Sequence, residues 1–406
     1  MINIGVLGYG TVGSGVVEIL EKNGENIKKR TGGKKINVKH VLDLRDFPGE
    51  AIQEKIVHDY DVILNDPEVK IVVEVMGGVE PAYTYTKQAL LNGKSVCTSN
   101  KELVAEHGPE LLAISKEKNV NFLFEASVGG GIPIIRPLNQ SLTADEIEEI
   151  TGILNGTTNY VLTKMTKEGS DFHSVLKEAQ DLGYAERDPS ADIHGHDSCR
   201  KIAILSSLAY GMHVDFEDIY TEGISNISDV DIKYAEEIGG SIKLLATSEK
   251  KGDKVLAMVA PMIIKPENPL FSVNDVFNAI FVRGNFIGDV MFYGSGAGKL
   301  PTASAVVSDV VDAAKHIGTN IMTIWTSKKL DLCDIGKAKH KFLVRVATKD
   351  LEATREKVSN LFGVVREVHA GIKGEYAFIT DEIEESIYNE KAKEIEKIIN
   401  MIRIKD

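Results

Sequence analysis

One glycine-rich hexapeptide near the start of the chain, Gly8-Tyr9-Gly10-Thr11-Val12-Gly13, constrains the fold more than any other feature. It follows directly on the β-branched run Ile2-Asn3-Ile4-Gly5-Val6-Leu7 and opens into an amphipathic stretch, Val12 to Lys22. A G-x-G-x-x-G turn between strand and helix is the fingerprint by which a parallel α/β sheet presents a helix N-terminus to a dinucleotide pyrophosphate. Gly8 permits the tight turn, Gly10 lets the backbone approach the phosphates, and Gly13 allows the helix to close on the strand. The first helical turn supplies amide donors. The cofactor-binding set therefore begins with Gly8, Gly10, Thr11, Val12 and Gly13.

The same rhythm continues through the first third of the chain. Asn37–Leu42, Ile71–Val75, Ser95–Thr98 and Asn121–Glu125 read as short strands separated by helical patterns, which argues for a Rossmann-type doubly wound parallel sheet. Gly129-Gly130-Gly131-Ile132-Pro133 breaks that rhythm, so a dinucleotide-binding domain is expected over 1–133. An α+β substrate-binding and dimerisation domain is expected over 134–300. The Ala/Val-rich stretch 301–318 reads as a buried helix returning to the first domain. After a Lys-rich linker, 319–339, the pattern His340–Thr348 (strand), Asp350–Phe362 (helix), Val364–Gly371 (strand), Glu375–Thr380 (strand) and Glu384–Met401 (helix) reads as a small ferredoxin-like module over 340–406.

Bulk properties narrow the class of protein. The 406 residues carry a net charge of −13, which opposes binding to a phosphate backbone, so no nucleic-acid partner is expected. No apolar run approaches the roughly 20 residues that span a bilayer, and the first residues lack the features of a secretory signal, so a cytoplasmic protein with no membrane partner is expected. Cys97, Cys199 and Cys333 are scattered without metal-ligand spacing and read as reduced thiols.

At the end of the second strand, Asp43 would accept the ribose hydroxyls of NAD while Arg45 would meet the 2′-phosphate of NADP. The two signals conflict, the glycine-to-acid spacing is longer than the usual one, and the choice stays open, leaning to use of both cofactors. A second constellation runs Leu182-Gly183-Tyr184-Ala185-Glu186-Arg187-Asp188-Pro189, then Asp192, Gly195, Asp197 and Lys201. Asp197 and Lys201 stand one helical turn apart on one face. A lysine beside carboxylates can donate a proton, and Glu186, Asp192 and Asp197 can hold a substrate ammonium; an ordinary surface ion pair is the competing reading. Asn100 and Lys101 follow a strand at the carboxyl edge of the sheet, where open α/β folds bind ligands. Asn155-Gly156-Thr157 and Gly296-Ala297-Gly298 are polar or glycine-rich turns that either cap helices or touch ligand. Cys97 reads as core and Cys199 as an inert small hydrophobe, while His194 and His196 read as solvated loop positions.

Taken together and in this order, the glycine fingerprint, Ser99-Asn100-Lys101, Glu125 to Pro133, Gly152 to Asn159, Leu182 to Lys201 and Gly296-Ala297-Gly298 with Pro301-Thr302-Ala303-Ser304 resemble homoserine dehydrogenase. The resemblance covers about the first three-quarters of the chain. It implies an NAD(P)H-dependent oxidoreductase that reversibly reduces L-aspartate 4-semialdehyde to L-homoserine, a step towards threonine and methionine. In that family Lys201 would be the general acid, Asp197 its orienting partner and Lys101 a second catalytic lysine that also contacts the cofactor. Asn100 and Gly298 join the cofactor set, and Glu186, Asp192, Asn155 and Thr157 the substrate set. Glu125, Val128, Gly130 and Ile132 match the family's monovalent-cation site, normally sodium, and paired or fourfold subunits are implied. The tail resembles an ACT module but lacks its Asp-x-Pro-Gly turn, having Thr348-Lys349-Asp350-Leu351-Glu352 instead. Effector binding and a purely assembling role stay open. An aldehyde-oxidising dehydrogenase, which would need a nucleophilic cysteine, or an imine-reducing one on a similar fold, and a non-catalytic amino-acid sensor are the competing classes.

Overall fold

The structure is a computed structural model, describing residues 1–405 of the chain. The chain folds into two compact units, each assembled from segments distant in sequence.

The first unit comprises 1–146, 203–216 and 292–330. Its core is a six-stranded parallel sheet in the order Ile56–Val57, Ile36–Leu42, Ile2–Leu7, Val69–Glu74, Ser95–Thr98, Phe122–Leu123. The chain winds outward to one side from Ile2–Leu7 and then to the other from Val69–Glu74, so the switch point lies between these two strands, where such sheets hold ligands. The helix Lys299–Lys315 belongs to this unit and packs on Thr11–Lys22. Small residues permit the approach, since a Cβ at Gly15 would lie 2.9 Å from that of Ala303. The stretch expected as a linker is tied down at its start. Asn121 donates to His316 and Thr319 carbonyls and accepts from the Ile321 amide, and Thr326–Lys329 forms a parallel ladder with Met212–His213.

The second unit comprises 147–202, 217–291 and the chain from 331 onward. Its mixed sheet runs in the order Gly288–Ser295, Phe277–Gly284, Ile147–Ile153, Ser241–Lys251, Lys254–Ile264, Ile398–Lys405, Lys339–Ala347, Glu375–Ile379, Arg366–Val368. The helices Gly156–Glu168 and Asp229–Glu237 lie against Ser241–Lys251. The tail departs from the sequence reading at its end. The last helix stops at Ala392, and Ile398–Lys405 is a strand. Apolar residues at three- and four-residue spacing suggest a longer helix, but Lys397 sits at φ +61, and beyond it Ile402 and Ile404 alternate into the core with Arg403 on the opposite face.

That added strand changes the tail from βαββα to βαββαβ, and it also pairs in parallel with Lys254–Ile264, so the tail and the rest of this sheet share hydrogen bonds. Two buried arginines reinforce the junction. Arg403 bridges Glu222 and Glu385, while Arg345 bridges Asp231 at 2.5 Å and Glu375 at 2.8 Å. Asp350 caps the first helix of the tail by accepting from Ala353 N, as its polar start suggests. No helix among the described residues is long and apolar enough to cross a membrane.

Candidate active site

The glycine loop in the first unit has the shape its spacing predicts. Gly8 holds φ +99, and a Cβ at Gly13 would sit 2.0 Å from the Gly8 carbonyl oxygen, so neither tolerates a side chain. A Cβ at Gly10 would meet nothing within 4 Å. Packing therefore explains Gly8 and Gly13, while Gly10 leaves open space. Gly10 is also the N-cap of the helix Thr11–Lys22 without any side-chain cap, so the first amides are left for a ligand. A groove of about 690 Å³ adjoins it, lined by Tyr9, Gly10, Thr11, Arg45, Phe47 and Lys299 among others. These features fit a dinucleotide.

Asp43 and Arg45 do not compete as the sequence suggested; they form one fork. Asp43 accepts from Tyr9 N at 2.8 Å, Arg45 N at 2.9 Å, and Arg45 Nε and Nη2 at 3.0 Å each. The Arg45 hydrogen bonds hold the Asp43 carboxyl well below the usual range, against a smaller opposing effect of burial. The carboxylate is thereby committed, and the guanidinium, stacked 5.2 Å from the Phe47 ring, is the group that lines the groove.

Across the switch point, Asn100 accepts from Leu103 N at 3.1 Å to cap the helix Lys101–Glu117, and it donates to the Gly78 carbonyl at 2.7 Å. Lys101, half buried, is the first residue of that helix, and Gly298 is the N-cap of Lys299–Lys315. Beneath Asn100 lies Glu74, a buried carboxylate that sequence reasoning missed. The signal was present, because an acid ending the run Ile71-Val72-Val73 of a buried parallel strand is out of character with its surroundings.

The second unit gathers most of the remaining candidates. Asn155 caps the helix Gly156–Glu168 by accepting from Thr158 N at 2.8 Å. Its amide then donates to Asp192 Oδ1 at 2.7 Å and Asp197 Oδ2 at 2.9 Å. The same Asp197 oxygen accepts from Lys201 Nζ at 2.7 Å, and Lys201 also donates to the Leu154 carbonyl at 2.8 Å. Both partners are buried, Asp197 at 2% and Lys201 at 9% exposure, which rules out the surface ion pair. Two of the three ammonium protons are thus used, and no further acceptor among the described residues takes the third. Burial, then the neighbouring Asp197 charge, pushes the Asp192 carboxyl up. The Thr157 hydroxyl donates to the Tyr184 carbonyl at 2.7 Å, tying the Asn155 turn to the loop that carries Glu186. Glu186 itself is exposed, and its carboxylate makes no hydrogen bond or ion pair among the described residues. The Leu154 carbonyl was not foreseen, since a backbone acceptor leaves no mark in sequence.

Glu125 is buried in the first unit, and its carboxylate accepts from Ile134 N, Ile135 N and Arg136 N at 2.6 to 2.8 Å. It therefore organises the glycine turn that follows. Within that turn the Gly129 carbonyl accepts from Ile132 N, whereas no hydrogen bond among the described residues uses the carbonyls of Val128, Gly130 or Ile132. Described His, Cys, Asp and Glu side chains nowhere cluster as a metal site. The remaining candidates behave as read: His194 and His196 are exposed, Cys199 is buried, and burial pushes the Cys97 thiol far up, which unsuits it as a nucleophile.

Family models for the NAD-binding domain of homoserine dehydrogenase and for homoserine dehydrogenase match residues 8–125 and 133–311. The chain is 46% identical to homoserine dehydrogenase of Bacillus subtilis over 78% of its length and 73% of that protein. It is 48% identical to the Synechocystis enzyme over 77% and 73% respectively. Among solved structures, homoserine dehydrogenase from Thiobacillus denitrificans superposes with a TM-score of 0.90 at 35% identity, covering 100% of this chain and 98% of that one. A hyperthermophilic archaeal homoserine dehydrogenase mutant in complex with NADPH matches at a TM-score of 0.66 and 31% identity, over 77% of this chain and 97% of that one.

Proposed function

The chain belongs to the homoserine dehydrogenase family, and from that premise we propose how its own residues divide the work of an NAD(P)-dependent reduction of L-aspartate 4-semialdehyde to L-homoserine. A bound reduced nicotinamide supplies the hydride to the aldehyde carbon. Gly8 to Gly13 hold the pyrophosphate by backbone amides, and Asn100, Lys101 and Gly298 complete the cofactor's surroundings. Arg45, lining the groove beside Phe47, would meet the 2′-phosphate of NADP without excluding NAD.

Lys201 acts as the general acid. Its third N–H donates to the aldehyde oxygen as negative charge grows there, and the proton moves to the alkoxide as the alcohol forms. Asp197 and the Leu154 carbonyl fix the ammonium in place. Glu186 and Asp192 hold the substrate ammonium, with Asn155 and Thr157 shaping the turn beside them, and Lys101 polarises the substrate. The observation that carries this reading is the buried Lys201 ammonium, anchored by two acceptors with one donor left over.

Two finer assignments go with it. Sodium binds at the glycine turn through the carbonyls of Val128, Gly130 and Ile132 with Glu125 as organiser, supported by three carbonyls left without donors; oxygen donors alone suit a hard cation. The tail is an ACT-like module, supported by its βαββαβ order, and paired or fourfold subunits in the cytoplasm complete the reading.

The test is spectrophotometric. Incubating the protein with L-homoserine and NAD or NADP is expected to generate reduced nicotinamide absorbance with both cofactors. Absence of a homoserine-dependent signal with either contradicts the substrate assignment.

A further inference from the structure

Glu74 closes the run Ile71-Val72-Val73 with a carboxylate that is 0% exposed, and no lysine, arginine or histidine pairs with it among the described residues. Its oxygens meet donors from the carboxyl ends of two neighbouring strands, Val69–Glu74 and Ser95–Thr98, on one side of the switch point. Oε1 accepts from Met76 N at 2.8 Å and Oε2 from the Thr98 hydroxyl at 2.5 Å. Thr98 Oγ1 in turn accepts from Asn100 N at 2.9 Å, and the Asn100 side chain reaches the Gly78 carbonyl. One buried acid thus ties residues 76–78 to residues 98–101.

Both tied segments bear on the cofactor. The first lies against the glycine loop, since a Cβ on Gly8 would be 3.2 Å from the Val75 carbonyl oxygen and 3.3 Å from Met76 Cγ. The second carries Asn100 and sets the first turn of the helix that begins with Lys101. The donor pattern requires an acceptor at both oxygens. Thr98 Oγ1 receives the Asn100 amide and donates its own proton to Glu74 Oε2. A glutamine would turn an NH₂ toward that proton and force the hydroxyl to swing away. Burial without a cation penalises the charged form and pushes the Glu74 carboxyl up, a cost without benefit to folding alone when a valine or leucine would fill the strand.

We propose that Glu74 is a positioning residue for the nicotinamide cofactor: it holds the 76–78 turn and the Asn100-Lys101 helix start in register against the glycine loop. The proposal rests on that loop being the cofactor site. Glu74 does not touch the reacting atoms.

Glu74→Gln and Thr98→Val test it, with NADPH dissociation constants read by fluorescence titration beside steady-state kinetics. Each is expected to weaken NADPH binding about tenfold, with kcat at saturating substrates within about threefold of wild type and KM for L-homoserine unchanged. Because both cut the same link, the double variant is expected to bind within about twofold of the weaker single one. Thr98→Val removes only a hydroxyl and carries the test alone if Glu74→Gln does not fold. Wild-type NADPH affinity in the folded variants, fully additive losses, or an equal loss of homoserine KM overturns the proposal. Wild-type protein that binds no NADPH overturns the cofactor reading as well, which separates the two failures.

Discussion

Asp197→Asn takes one charge out of the buried cluster while leaving its shape. Asp197 Oδ2 accepts from Lys201 Nζ and from Asn155 Nδ2, so an amide oxygen in the same place keeps both contacts, each weaker by about 1 kcal/mol. The larger effect falls on the Lys201 ammonium. Removing one partner of a fully buried pair costs about 3 to 5 kcal/mol, and here the Leu154 carbonyl and some access to water soften it. The expected loss is about 2 to 4 kcal/mol, or a fall of several degrees in Tm. Activity should fall further, by about a hundredfold in kcat, because the proton donor loses the charged partner that orients it.

Asp192 responds in the opposite sense. Its folded value lies above the unfolded one, by burial first and the Asp197 charge second, so the stability it contributes is fully present below the unfolded value and lost as pH rises through the folded one. Asp197→Asn removes the second cause, so melts taken as pH rises from the ordinary carboxylate range should show a shallower decline than wild type. A variant with wild-type Tm and kcat would refute the buried-pair reasoning.

Four substitutions probe the rest of the scaffold. Gly10→Ala should leave the Tm of the cofactor-free protein unchanged while weakening cofactor binding at least tenfold, whereas Gly13→Ala should lower the Tm itself, since its Cβ would lie 2.0 Å from Gly8 O; calorimetry and fluorescence titration separate the two. Arg45→Ala should raise KM for NADP about tenfold relative to NAD, read from paired Michaelis curves. Arg403→Met leaves Glu385 buried without its partner and should cost about 3 kcal/mol, read as a lower urea midpoint.

What is legible in the sequence is what local pattern determines. The glycine turn, the caps at Asn100 and Asn155 and the i, i+4 pair Asp197 and Lys201 are each written within a few residues. What escapes is set by partners distant in the chain. Glu74 acquires its role from Thr98 and Met76 on neighbouring segments, and Lys201 owes half its anchoring to a carbonyl at Leu154. Asp43 and Arg45 look like rivals in sequence because residue types alone cannot reveal that one grips the other. The last strand reads as helix because its local periodicity is helical, while pairing with Lys254–Ile264 and Lys339–Ala347 outweighs that preference.

The most direct test of the central claim, that Lys201 is the proton donor, is to measure homoserine-dependent turnover and NADPH affinity together in Lys201→Ala. Turnover reduced by about a thousandfold or more with an unchanged NADPH dissociation constant is the expected result. Near-wild-type turnover in that variant would contradict it.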